Sequence, residues 1–324
     1  MKVLVIGDLN ADLIFSGIGS PPQPGREVLA NDFSLELGSS SGICAAGLAR
    51  LGTQVALLGK AGDDTLGHFC IDELNRIGVD TRFVRVEPGL KTGITASFSS
   101  EDRALVTFLG AIAELTADEV SGSMLSGFTH LHISSYYLQC GLQPGLAGLC
   151  EMAKQMGLTV SLDPGHDPSG QWSHALWDAF PSCDVLFLNE VELAALSGAS
   201  DVIGGLHALR NGPSIVVAKL GKSGSAALAG GRLYTAEPIA VEAADTTGAG
   251  DSFDAGFLHL WIRGCSLEDC LECGSICGGL STRRLGGCAS QASWPEVEQR
   301  MQTSRHMRQA AEVPNEGSFE TNER

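Results

Sequence analysis

The feature that most limits how this chain can fold is an alternation that runs from its first residues to about position 263. Short apolar runs of strand character occupy residues 2–7, 55–58, 130–134, 159–163, 185–188 and 214–219. Between them lie segments with helical spacing, at 41–51, 67–77, 146–156, 190–196, 204–209 and 250–263. Gly52 and Gly78 stand where two of these helices must stop. Strand and helix in turn, joined by short links, imply an α/β fold with a mainly parallel central sheet and helices on both faces. With 324 residues, of which 44% are hydrophobic, there is ample material for such a core. Ligands of these sheets sit outside the carboxyl ends of the strands.

Two segments break the rhythm. Residues 13–37 hold Pro21, Pro22, Pro24 and Gly25 between β-like pieces, and residues 82–109 alternate around Gly89, Gly93 and the polar stretch 99–103. Neither has a helical period. They read either as a small β sheet that serves as a lid over a site or as two surface hairpins. The main domain is placed at residues 1–299. Residues 300–324, with Glu312, Glu316, Glu320 and Glu323, read as a polar, flexible tail.

The formal net charge of −17 makes non-specific binding to nucleic acid or anionic lipid unfavourable. No run is long and apolar enough to span a bilayer, and the N-terminal apolar run meets Asp8 too soon for a signal peptide. Ten cysteines without a secretion signal read as reduced thiols of a cytoplasmic protein. Cys265, Cys270, Cys273 and Cys277 cluster without a CxxC pair, in a helix-like stretch, and read as buried thiols more than as a metal site. His130 and His132 share one side of a strand. With His166 they suggest metal ligation, but polar strand-end histidines are the simpler account.

The chemistry concentrates at Asp245-Thr246-Thr247-Gly248-Ala249-Gly250-Asp251, just ahead of an apolar helix containing Phe253, Phe257, Leu258 and Trp261. Amides at a helix start are unpaired and partly positive, and Gly248 and Gly250 let a ligand approach the backbone. That combination suits phosphate. A carboxylate beside a phosphate pocket is poor design for binding alone. It makes sense if Asp251 takes a proton from a hydroxyl that attacks the phosphorus while the amides stabilise the transferring group. The competing role for Asp251 is an ordinary helix cap.

This loop resembles the C-terminal signature of the ribokinase/PfkB family of carbohydrate kinases. Other segments agree in order: Gly7-Asp8-Leu9-Asn10-Ala11-Asp12, Gly38 to Gly52, Gly62-Asp63-Asp64-Thr65-Leu66-Gly67, Leu188-Asn189-Glu190-Val191-Glu192 and Lys219-Leu220-Gly221-Lys222-Ser223-Gly224. Together they cover roughly residues 1–295. The resemblance implies a ribokinase-like α/β domain with a β lid, an ATP-dependent kinase acting on a sugar hydroxyl with Mg²⁺. It makes Asp251 the base and the amides of Gly248, Ala249, Gly250 and Asp251 the anion hole. Asn189 and Glu192 would serve Mg²⁺ and the phosphates, Glu192 through water; their alternative role is capping a helix. Gly221 and Gly224 would line the nucleotide, with Lys219 or Lys222 reaching phosphate or staying solvated. Asp245 and Thr247 would lie near a monovalent cation such as K⁺.

For the acceptor end, the resemblance points to Asn10 and Asp12 on sugar hydroxyls; alone, they read as an Asx-turn. Gly38-Ser39-Ser40-Ser41-Gly42 departs from the family pattern, with Ile43 where many members have Asn, so Ser39 and Ser40 are the candidate substitutes. Asn10-Ala11-Asp12 favours a neutral sugar. Keto-deoxy sugar acids and nucleosides are the alternatives, the latter requiring a lid aromatic such as Phe15, Phe33 or Phe98. A homodimer through exposed lid edges is expected. Other functions fit the residues less well. Residues 38–42 match G-x-S-x-G, but too little chain precedes Ser40 for a hydrolase elbow. Gly7 alone is no dinucleotide fingerprint, and Gly221-Lys222-Ser223 has Val216 where a Walker loop needs glycine. A catalytically silent sugar- or nucleotide-binding protein would not need the intact Asp251 loop.

Overall fold

A computed structural model of the chain describes residues 1–20, 22–99 and 103–312. The first strand, β1 (Lys2–Ile6), has four consecutive residues with no exposure, Val3 to Ile6. A strand this apolar can only sit inside a parallel sheet covered on both sides. Its alternate side chains enter two different cores: Val3 and Val5 join one cluster, Leu4 and Ile6 the other.

The chain continues through β2 (Asn10–Ser16), β3 (Asp32–Leu37), α1 (Ser40–Arg50), β4 (Gln54–Gly62), α2 (Thr65–Ile77), β5 (Asp80–Glu87), β6 (Gly93–Ser99), β7 (Arg103–Phe108) and the single turn α3 (Gly122–Leu125). Then come β8 (His130–Ser134), α4 (Leu146–Gln155), β9 (Thr159–Asp163), β10 (Val185–Asn189), α5 (Glu190–Ser197), α6 (Val202–Leu209), β11 (Ile215–Lys219), β12 (Ser225–Ala229) and β13 (Arg232–Ala236). Three helices, α7 (Ala249–Trp261), α8 (Leu267–Ser281) and α9 (Trp294–Glu312), complete the order. The large sheet has the order β13-β12-β11-β10-β9-β8-β1-β4-β5, parallel except for the last hairpin, β12 and β13. Helices α1, α2, α7 and α8 cover one face and α4, α5 and α6 the other. The ribokinase-like α/β expectation is met.

The second, four-stranded sheet has the order β3-β2-β6-β7 and contains both rhythm-breaking segments. Its boundaries differ from the expected ones. β2 begins at Asn10, and residues 82–87 belong to β5, which pairs in parallel with β4 at the edge of the large sheet. Both differences have one cause: a half-buried edge strand and a lid strand share the same alternating pattern. Positions 21, 100–102 and 313–324 lie outside the described residues, so Pro21, Glu316, Glu320 and Glu323 are not placed.

The expected tail needs correcting at its start, because α9 carries the backbone through Arg300 to Glu312. Val297 and Met301, one turn apart, bury in the core and anchor the helix despite its polar composition. His130 and His132 are fully buried rather than at a polar strand end. Both ring systems share hydrogen bonds with the Ser161 hydroxyl, and they stack edge-on against Trp261 and Phe187. The cysteines of α8 act as small core residues. A methyl on Gly256 would meet the Cys273 carbonyl and the Cys277 sulfur at 2.8 Å, so α7 and α8 touch backbone to backbone there. Among the described residues all ten cysteines are free, and no helix is long and apolar enough to cross a membrane.

Candidate active site

At the carboxyl ends of β9, β10 and β11 opens a cavity of about 490 Å³. The loop before α7 forms one wall. Gly248 adopts φ 70°, the left-handed region, so the helix can begin abruptly at Ala249. Space also demands glycine there, since a Cβ would sit 2.9 Å from Gly287 Cα and from Ile43 Cδ1. The Ala249 amide turns back to Thr246 O at 3.3 Å and the Ser252 amide to Gly248 O at 2.9 Å. The amides of Gly250 and Asp251 belong to the first turn of α7, and both residues line the cavity.

Asp251 lines the same cavity and is half-buried. Burial pushes its carboxyl up to about 7, and the Asp163 charge adds to this, while the Lys219 ammonium opposes both. A carboxyl near 7 is matched to exchanging a proton at neutral pH.

The β10–α5 junction supplies Asn189 and Glu192. They form a reciprocal cap: Asn189 N donates to Glu192 Oε2 at 2.8 Å, Asn189 Nδ2 to Oε1 at 2.6 Å, and Glu192 N to Asn189 Oδ1 at 2.9 Å. The helix-capping role is therefore real, and both residues also line the cavity. Glu192 is buried, and burial first, then the Asp163 charge, raises its carboxyl to about 7. Each oxygen keeps lone pairs beyond the cap, so this hard-oxygen donor set fits Mg²⁺ held through water.

Gly221 (φ 54°) and Gly224 (φ 82°) shape the turn after β11 and line the cavity together with Lys222. Lys219 lines the cavity too, but it is not the solvated lysine of the alternative reading. Its side chain is 11% exposed, and its ammonium is held by Asp163 at 2.6 Å and Asp254 at 3.2 Å. Neither carboxylate was singled out in the sequence. The signal available was Asp163 at a strand end and Asp254 one turn after Asp251. The apolar wall of Pro238, Ile239 and Val241 was also missed, because it lies in irregular chain without a period.

Of the acceptor-side candidates Ser40 lines this cavity, while Asn10, Asp12, Gly38 and Ser39 are buried and do not line it. Asn10 Nδ2 donates to Asp12 Oδ1 at 2.8 Å, and a Cβ on Gly38 would sit 2.2 Å from that oxygen. Burial raises the Asp12 carboxyl to about 7 against the Asn10 hydrogen bond, helped by the charges of Asp8, Asp245 and Asp251. Asp8 accepts the amides of Ser40 (3.1 Å) and Ser41 (3.0 Å), which pins the start of α1. Ser39 caps α1 from φ 68°, ψ 136°, a region where serine is strained. Asp245 braces its own loop: Oδ1 accepts from the Thr247 amide and hydroxyl, Oδ2 from the Gly286 amide. Asp64 of the Gly-Asp-Asp segment caps α2 and binds Thr92 at the entry to β6 (2.7 Å), tying the two sheets together.

The family model for pfkB family carbohydrate kinases matches residues 1–294. The chain belongs to that family. It is a sugar or nucleoside kinase, an ATP-dependent phosphotransferase. Among pfkB relatives it is 29% identical over 289 residues to the ATP-dependent ribose-1-phosphate kinase of Halopiger xanaduensis, covering 88% of this chain and 93% of that one. It is 30% identical over 306 residues to a fructokinase of Klebsiella pneumoniae, covering 88% and 94%. Among pfkB-like folds, an E. coli structure in complex with ATP and Mg²⁺ superposes with TM-score 0.83 at 24% identity, over 93% of this chain and 99% of that one. Arabidopsis thaliana ribokinase, complexed with ribose and ATP, gives 0.82 at 24%, over 92% and 97%.

Proposed function

We propose that this kinase transfers the γ-phosphate of ATP to a hydroxyl of a small neutral sugar, with Asp251 as the general base. The observation that carries the reading is that Asp251 lines one cavity with Ala249 and Gly250 of the first turn of α7. The sugar hydroxyl gives its proton to the Asp251 carboxylate as its oxygen bonds to the γ-phosphorus, and the bond to ADP breaks. The loop amides hold the charge on the phosphoryl oxygens. The nucleotide lies over Gly221 and Gly224 against Pro238, Ile239 and Val241. Asn189 and Glu192 orient the hydrated Mg²⁺, which offsets phosphate charge when bound. Asp245 and Thr247, whose oxygens brace this loop, are the proposed place for a monovalent cation.

The neutral-sugar reading draws on the second sheet. Strand parity puts Asn10, Asp12, Thr95 and Thr107 on one face, and Asn10 and Thr95 hydrogen-bond across it at 3.4 Å. Hydroxyls and a carboxylate suit a polyol. Phe15, Phe33 and Phe98 are cross-strand partners on the opposite face, away from Asp12, which disfavours stacking of a nucleobase. The negative charges around Asp12 disfavour a sugar acid. The aromatic face is solvent-exposed at Phe33 (64%), Val106 (64%) and Phe108 (51%), which supports pairing of two lids in a homodimer. The proposed compartment is the cytoplasm, where ten free thiols stay reduced.

An ADP-release screen over neutral sugars, keto-deoxy sugar acids and nucleosides tests the substrate class. The expected result is fastest turnover on a neutral sugar; fastest turnover on a nucleoside or an acid overturns it. Gel filtration at micromolar protein tests the dimer.

A further inference from the structure

Beneath the phosphoryl pocket Asp251 belongs to a charge cluster whose other members, Asp163, Asp254 and Lys219, the transfer step itself does not use. Carboxylate oxygens of Asp163 (β9), Asp251 and Asp254 (α7) lie within 4.8 Å of one another. The end of β11 delivers the cation among them, with Lys219 Nζ 2.6 Å from Asp163 and 3.2 Å from Asp254. Its stem runs under the anion loop, where a Cβ on Gly250 would sit 3.2 Å from Nζ and 3.6 Å from Cε. The absence of a side chain at Gly250 is what lets the lysine pass.

We propose that Lys219 is a positioning residue for phosphoryl transfer. Clamped by Asp163 and Asp254 under the Gly250 backbone, its ammonium offsets the negative charge gathered around Asp251 and props the loop that carries the amide donors. This rests on Asp251 being the base and adds the question of what holds that base ready.

The electrostatic logic is specific. Burial opposes the Lys219 charge, but Asp163 and Asp254 outweigh it, and the lysine stays protonated. Asp163 is held below the usual carboxylate range against its burial, chiefly by Lys219. Burial, outweighing the opposing Lys219 charge, raises the Asp254 carboxyl, which hydrogen-bonds to Asp163. The Lys219 ammonium is the cation set among these acidic groups. Asp251 is also faced by Glu192 of α5, Asp8 after β1 and Asp12 of β2, all acidic. Without the Lys219 ammonium, only the Ser40 hydrogen bond opposes burial and these charges, and Asp251 would hold its proton more tightly when it should accept one.

The test uses the intact protein without any acceptor. Carbon-13 labelling of aspartate carboxyls follows the Asp251 titration by NMR, with the signal assigned through Asp251→Asn. Lys219→Met is expected to move the midpoint up by about one pH unit and Asp163→Asn to move it down by a similar amount, the usual scale for a neighbouring charge. The double variant Lys219→Met/Asp163→Asn, which removes one charge of each sign, returns it close to wild type. On the best acceptor among D-ribose, D-fructose and adenosine, kcat of Lys219→Met falls at least about tenfold at pH 7, and its acidic limb follows the NMR midpoint. A folded Lys219→Met with an unmoved midpoint, or shifts of one sign in both single variants, overturns the proposal. If Lys219→Met does not fold, the shift in Asp163→Asn decides. Should Asp251→Asn keep near wild-type kcat, the base reading fails instead, and the two failures are told apart.

Discussion

Replacing Asp251 by Asn separates what this carboxyl does for chemistry from what it does to stability. The side chain keeps its size and loses both its charge and its proton affinity. Loss of a general base typically costs about 10²–10⁴ in rate, so kcat is expected to fall by at least about two orders of magnitude. The effect on stability has the opposite sign. Burial, then Asp163, raises the folded carboxyl to about 7 from an unfolded value near 3.8. Between these values the native state binds the proton and the unfolded state does not, so wild-type stability falls as pH rises and levels off above 7. Two pH units, from 5 to 7, at about 1.4 kcal/mol each set an upper limit of about 3 kcal/mol on this loss, less where water in the cavity screens the half-buried carboxyl. Asp12 and Glu192, also near 7, add the same trend to both proteins and cancel in large part, the Asp251 charge being a minor cause of each shift. Thermal melts of wild type and Asp251→Asn at pH 5, 6, 7 and 8 check this. The variant should gain melting temperature relative to wild type up to pH 7 and then hold the gain, at about 2–4 °C per kcal/mol for a domain of this size. Parallel melting curves across this range would refute the burial argument; near wild-type kcat would refute the base assignment.

Three further outcomes follow from single contacts. Gly248→Ala places a Cβ against Gly287 and Ile43 at a positive φ, so it should cost about 2–4 kcal/mol of stability and depress kcat, read by melting and single-turnover assays. Ser39→Gly relieves backbone strain and loses only part of a cap, so it should melt at or above wild type. Ser39→Ala keeps the strain and loses the cap, and should melt lower by the equivalent of about 1 kcal/mol; the reverse order refutes the strain at φ 68°. Asp12→Ala should raise the sugar KM by about 10–100-fold, the scale of a hydrogen bond to a charged group, with ATP affinity unchanged by calorimetry.

Much of the architecture was legible because buried parallel strands and covering helices write their periods directly into the chain. The run Val3 to Ile6 announces a doubly covered strand, and Gly248 announces the abrupt start of α7. Residues 82–87 misled because alternation is the same for an edge strand of either sheet. Tail residues through Glu312 misled because two apolar anchors, Val297 and Met301, are too few to stand out among polar neighbours. By itself the sequence determined the α/β layering, the glycine turn ahead of α7 and the carboxylate in its first turn, because these depend on neighbours close along the chain. Tertiary structure alone decided that Lys219, 56 residues from Asp163 and 35 from Asp254, would meet both under Gly250. It also set Asn10 and Asp12 on the face away from the lid aromatics. The physical reason is range: local order follows from periodicity and backbone freedom, while a buried charge finds its partners only once strands and helices have packed.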